Sequence, residues 1–170
     1  RDEEIKRNIS AYVSGLGHPQ VPIITDEQSE ILLAKWRFNP NIPENSKTIT
    51  IGLNIQSEEA LKTPMFKDFT EQHWIVPING FYEWKHYNSS KIKVKHYITM
   101  KNEETFFLAG LWRFYNGKEV SFGILTTPSN ELMTDIHNNK KRMPISLNRK
   151  QAELFLKKGK LDNIVYPNLD

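Results

Sequence analysis

The stretch GFYEW, Gly80 to Trp84, sets a carboxylate among aromatic rings in a segment that reads as a β-strand. With a strand's period of two, Glu83 shares a face with Phe81, while Tyr82 and Trp84 point the other way. A carboxyl sheltered by aromatic surface loses solvation of its charged form, which suits it to passing a proton near neutral pH. Two further residues are of types fit for related work. His137 is an imidazole that can take and return protons, and Asn54 is an amide that can orient a polar substrate. Trp36 and Arg142 add a flat ring and a permanent cation. Each residue also has an ordinary explanation. Strand glutamates usually face solvent, a histidine ending a helix is favoured there by the dipole, asparagine caps turns, and tryptophan fills cores. The residue types alone leave both explanations open.

Composition narrows the field. The chain has 170 residues and no cysteine, so neither a disulfide nor a thiolate metal site can form within it. His18, His73, His86, His96 and His137 are widely separated, with no cluster at metal-ligand spacing, so no metal is expected. There is no glycine-rich phosphate loop, no Gly-x-Ser-x-Gly elbow and no apolar run long enough to cross a bilayer. No cofactor and no membrane partner are expected. A net charge of +3 permits a polyanionic partner without demanding one. The densest local group of lysines, KIKVK (Lys91 to Lys95), reads as a solvated strand face.

The elements that must position these residues are mostly strands. VPIIT (Val21 to Thr25) and EILLAKWRF (Glu30 to Phe38) read as a pair, followed by a Pro- and Asn-rich loop from Asn39 to Lys47. Glu58 to Lys62 reads as a short helix, and Thr63 with Pro64 as the start of a second, with Met65, Phe66 and Phe69 turned inward. From His73 onward come five strand candidates: HWIVP, GFYEWKH, IKVKHYITM, TFFLAGLWRFY and VSFGILTT. TFFLAGLWRFY is apolar on both faces and is expected to be a covered, central strand. PSNELMTDIHN reads as a helix, and a closing helix starts near Asn148, with Gln151 in capping-box spacing, and stops at Gly159. The expected fold is a single α+β domain, 1–170, on a curled or closed, mainly antiparallel sheet flanked by short helices.

Taken together, an ordered set of stretches resembles the SOS response-associated peptidase family of abasic-site processing proteins. They are VP followed by GFYEW, then AGLW (Ala109 to Trp112), ILTTPSNELMTDIH (Ile124 to His137) and RMPISL (Arg142 to Leu147). Upstream, HPQVPIIT, WRFNP and NIQSEE are similar to the family's proline-threonine strand and its Trp-Gly-Leu-Ile-Pro and Asn-Ala-Arg-Ser-Glu-Thr segments. The resemblance implies that an N-terminal cysteine, exposed by self-cleavage, attacks the ring-opened aldehyde of an abasic deoxyribose in single-stranded DNA. The α-amine forms a Schiff base and the thiol closes a thiazolidine, crosslinking protein to DNA. An α-amine with a pKa of about 8 is partly neutral and nucleophilic at physiological pH. It also implies Glu83 as the proton-moving glutamate, His137 as the histidine working on the sugar hydroxyl, and Asn54 as the residue positioning cysteine and sugar. Trp36, Pro40, Gln56, Thr126, Thr127 and Arg142 would meet DNA, and the protein would act as a monomer in the bacterial cytoplasm, at the nucleoid when bound.

The sequence departs from the family pattern in three places. The cysteine is missing, and the chain begins at Arg1, so its native start is expected upstream unless it is a paralogue that never had the nucleophile. Gln56 stands where the family has a phosphate-gripping arginine, and the Trp-Gly-Leu-Ile-Pro segment keeps only Trp36 and Pro40. HNNKKRMP, from His137 to Pro144, is longer than the shortest family form, with Lys140 and Lys141 adding positive charge. Two other readings stay open: a non-catalytic reader of single-stranded or abasic DNA, and an RNA-binding or scaffold barrel in which Trp36 and Trp84 are core.

Overall fold

Inward residues recur at every second position along the strands, and this alternation lets five of them close on one another. The computed structural model describes residues 3, 6, 10–25, 31–38, 52–87, 91–102, 104–115 and 117–157. Strand β1 (Gln20–Thr25) runs antiparallel to β2 (Ile31–Trp36), pairing Gln20 with Lys35 and Ile24 with Ile31. After β3 (Asn54–Gln56) and helix α1 (Ser57–Ala60) comes β4 (His73–Ile78), which pairs with β1 through Ile24–Ile75 and Thr25–Trp74. The hairpin of β5 (Phe81–Tyr87) and β6 (Ile92–Ile98) stands as a two-stranded sheet of its own. Strands β7 (Phe106–Tyr115) and β8 (Glu119–Pro128) pair antiparallel, β7 also pairs with β4, and β8 runs parallel to β2. The circuit β1–β2–β8–β7–β4 therefore closes into a barrel, as the sequence predicts.

Two layers of core follow from the alternation. Ile23, Ala34, Trp74, Phe106, Leu108, Trp112, Phe122 and Ile124 come from all five barrel strands and fill its interior. Ala109, Leu111, Ile75 and Leu125 point out from the same strands, and Phe38, Ala60, Ala152 and Phe155 cover them. Gly110 is required at the tightest point of the interior. A Cβ there would come within 2.1 Å of the Gly123 carbonyl oxygen and 2.4 Å of the Trp74 indole nitrogen. That nitrogen donates to the carbonyls of Leu111 and Gly123, both at 3.1 Å, so this fully buried indole leaves no polar atom unpaired.

Helix α2 (Glu131–Ile136) is capped by Asn130, whose side-chain oxygen accepts from the Met133 amide at 2.9 Å. Short strands β9 (Arg142–Pro144) and β10 (Ser146–Leu147) then pair with β8 and β7. Helix α3 (Arg149–Leu156) opens with the expected capping box between Asn148 and Gln151. The His73 ring meets the Phe155 carbonyl at 2.6 Å and the Thr70 carbonyl at 2.9 Å, tying α3 to β4.

Several expectations need correction. The helix expected from Thr63 is a series of turns with one 3-10 segment, Lys67–Phe69, because only isolated bonds to the Thr63 and Phe66 carbonyls form. Met65, Phe66 and Phe69 nonetheless pack on the outer core, as predicted. The helix expected at Glu58–Lys62 is Ser57–Ala60, and α3 ends at Leu156, while Gly159 lies outside the described residues. Strands β3, β9 and β10 go beyond the sequence expectation, and the sheet is mixed, since β2 and β3 both run parallel to β8.

Candidate functional site

Glu83 lies on the hairpin, and period two acts as expected. Phe81, Glu83 and Lys85 are partly buried on one face, while Tyr82 and Trp84 are exposed on the other. The Glu83 carboxylate accepts from the Trp84 amide at 3.0 Å through Oε1. Its Oε2 lies 3.7 Å from Nδ1 of His137, with 22% and 19% of the two side chains exposed. That distance exceeds a hydrogen bond but is within reach of electrostatic pairing. Most of the Glu83 side chain is thus shielded from water.

His137 follows the last turn of α2 and donates its backbone N–H to the Met133 carbonyl at 2.7 Å. Its Nδ1 is 2.7 Å from the Arg142 carbonyl oxygen. A carbonyl only accepts, so Nδ1 carries the proton and Nε2 is left as the basic nitrogen of the neutral ring. The extra residues make this return possible: the Lys141 amide donates to the His137 carbonyl at 2.8 Å, and Lys141 itself takes a left-handed φ of 52°.

The Arg142 side chain is engaged within the protein. Nη2 donates to the Thr126 carbonyl at 2.8 Å, to Thr126 Oγ1 at 3.2 Å and to Glu58 Oε2 at 2.9 Å, while Nη1 closes a second contact on Glu58 Oε1. This forked pairing pulls the Glu58 carboxyl down to about 2 from 4.5, with the Arg142 hydrogen bond as the leading cause.

Asn54 and Gln56 pair with Ile124 and Thr126 of β8 and project from the same face, both exposed. They join the side of the sheet that holds Arg142, and among the described residues no hydrogen bond or ion pair links either to Glu83 or His137. Trp36 is partly buried, stacks on Phe122 and donates its indole N–H to the Leu53 carbonyl at 3.0 Å, which anchors the entry to β3. Thr127 is fully buried on the face opposite Thr126, and Pro40 lies outside the described residues. Among the described residues no group of acidic and histidine side chains could hold a metal ion, and no helix is long and apolar enough to cross a membrane.

Sequence reasoning missed the residues that hold the hairpin in place. The Asn138 side chain accepts from the His86 amide at 3.1 Å and donates to the His86 carbonyl at 2.9 Å, pairing with the free edge of β5 as a strand would. Lys85 reaches Asp135 at 2.6 Å, and the Asp135 carboxylate raises the ammonium above its usual range. Asn138 sits in the longer HNNKK segment, so the length departure was a usable signal. Glu58 sat in the quoted NIQSEE stretch without any feature of its own.

A family model described as SOS response associated peptidase (SRAP) matches residues 6–166. The chain belongs to the SRAP family. It is similar to the abasic site processing protein YoqW of Bacillus subtilis (strain 168), 33% identical over 141 residues, covering 78% of this chain and 61% of the relative. YoaM from the same organism, also named an abasic site processing protein, is 34% identical over 132 residues, covering 73% and 56%. The chain thus spans about three-fifths of the length of the curated relatives it matches. A crystal structure of a protein from Bacteroides thetaiotaomicron superposes with a TM-score of 0.78 at 27% identity, covering 92% of this chain and 72% of that one. A Bordetella bronchiseptica structure shares the fold, with a TM-score of 0.72 at 21% identity over 98% of this chain and 90% of that one. Membership in the SRAP family carries the sequence resemblance through to a shared barrel.

Proposed function

We propose that this chain carries the nucleotide pocket of an abasic-site processing protein that acts on single-stranded DNA. The observation that carries the reading is the approach of Glu83 to His137: two proton-handling groups from distant segments stand 3.7 Å apart, both partly shielded. The relatives' names support the substrate class. In the proposed reaction an N-terminal α-amine adds to the aldehyde carbon of an opened abasic deoxyribose. One amine proton passes to the carbonyl oxygen as the N–C bond forms, and the second leaves nitrogen as the carbinolamine hydroxyl takes up a proton and departs as water, giving a Schiff base. A neighbouring thiol then adds to the imine carbon, and its proton passes to nitrogen as the thiazolidine closes. Glu83 takes and returns these protons, and His137 serves the sugar hydroxyl through Nε2.

The 170 residues contain no thiol, so they are expected to form no heat-stable adduct with an abasic single-stranded oligonucleotide. A version extended at its N-terminus by a segment that begins Met-Cys is expected to form one, read on a denaturing gel. A stable adduct from the cysteine-free chain would place the nucleophile elsewhere. The second reading is a non-catalytic DNA reader, favoured by Gln56 in place of the family arginine. Salt-sensitive binding of single-stranded DNA without any adduct from the extended protein would select it.

A further inference from the structure

We propose that Glu58 is the positioning residue of the Glu83–His137 pair and acts on it through Arg142. The inference rests on the reading above. Nδ1 of His137 faces two acceptors, the Arg142 carbonyl at 2.7 Å and the Glu83 carboxylate at 3.7 Å. Whichever acceptor holds the Nδ1 proton decides how the pair divides its work. The carbonyl holds it because Arg142 is fixed. Arg142 opens the three-residue strand β9, where the ladder with β8 is at its end, at the Pro128–Arg142 pair. Its backbone is steadied on one side by the Ser129 amide donating to the Lys141 carbonyl at 3.1 Å, and the side chain adds a second tie. Here the tie is the guanidinium, held on one side by the Thr126 carbonyl and hydroxyl and on the other by both Glu58 oxygens. Glu58 in turn accepts from Ser57 Oγ at 3.2 Å and sits in α1, directly after β3, so the tie runs from the Asn54 strand to the His137 turn.

The same contact has an electrostatic consequence. Arg142 meets a DNA phosphate only by sharing its guanidinium with a carboxylate that already neutralises it. Removing that charge while keeping the side chain's size frees one cation for phosphate and releases the carbonyl that fixes His137.

The test compares the 170-residue chain with its Glu58→Gln and Glu58→Asp variants, and with Glu59→Gln as a control. Glu59 pairs with Lys62 on the surface and touches none of these groups. Long-range proton–nitrogen NMR of the His137 ring is expected to show the Nδ1–H tautomer alone in the parent and in the control. Both acceptors face Nδ1, so the tautomer is kept throughout, but the Nδ1–H proton resonance is expected to move downfield in Glu58→Gln, as it turns from the carbonyl to the Glu83 carboxylate, and less in Glu58→Asp, which keeps the charge but loses the forked fit. Circular dichroism checks folding, and Glu58→Asp supplies the comparison if Glu58→Gln does not fold. In parallel, binding to an abasic single-stranded oligonucleotide is followed against salt, and Glu58→Gln is expected to steepen the logarithmic slope by about 0.7, one phosphate's worth. An unchanged ring signature in the folded variants overturns the proposal, whatever the DNA result. A ring that responds in proteins that bind no single-stranded DNA upholds the positioning role and removes the functional reading instead.

Discussion

The barrel and the β5–β6 hairpin are built from similar residues yet held in opposite ways. In the barrel, five strands close on one another, and Trp74, Trp112, Phe106 and Phe122 are essentially out of reach of water. In the hairpin, Tyr82, Trp84, Tyr87 and Tyr97 are all more than two-fifths exposed, and among the described residues no ladder bond joins it to the barrel. Point contacts do that work: Asn138 on His86, Lys85 on Asp135, and the Phe81 ring against Phe106. The outer face of the hairpin is organised around Lys95, whose ammonium lies 3.8 Å from the centre of the Tyr82 ring. The contrast separates stability from placement. Buried apolar area holds the barrel, whereas a few directional bonds set where Glu83 stands.

The contrast is tested hardest in the barrel. Trp74→Ala removes a fully buried indole and two hydrogen bonds, and is expected to cost about 3–5 kcal/mol in chemical denaturation, enough to leave a marginal fold. A loss below about 1 kcal/mol would mean that the barrel interior is not the dominant core. Asn138→Ala is expected to cost about 1 kcal/mol or less globally, because water replaces its two exposed bonds. Hydrogen exchange at the His86 amide should nonetheless quicken markedly, and adduct formation that depends on Glu83 being in place should slow. A global loss as large as that of Trp74→Ala would show that hairpin and barrel unfold as one unit.

The smallest effect concerns pH. The folded Glu58 carboxyl is depressed to about 2, below its ordinary 4.5, so its contribution is fully present above about 4.5 and is lost as pH falls through about 2. Glu58→Gln should therefore flatten the fall in stability across that window and leave neutral stability little changed, since the pair is partly exposed. Equal acid slopes in parent and variant would dissociate Glu58 from Arg142.

Much of the local structure was legible in the residues. Phe81, Tyr82, Glu83 and Trp84 alternate faces because a pleated strand leaves no other option, and Asn148 with Gln151 caps a helix through bonds only three residues apart. Strands β3, β9 and β10 were not legible, because two or three residues carry no period and pair only against an edge of β7 or β8 that already exists. Thr63 and Pro64 misled for a related reason. Their start signal is local, but Phe66 and Phe69 are drawn onto Phe38 in edge-on ring contacts, and the chain follows them in tight turns.

The sequence by itself determined the residue types, their order along the chain and the face each takes on its own strand, since these depend on covalent geometry and neighbours within a turn. Only the tertiary structure decided that Glu83 meets His137, that Arg142 is committed to Glu58 and Thr126, and that Asn138 ties the hairpin down. Those partners lie far apart in the chain, and each contact exists only because barrel closure has already covered the entropy of bringing the segments together.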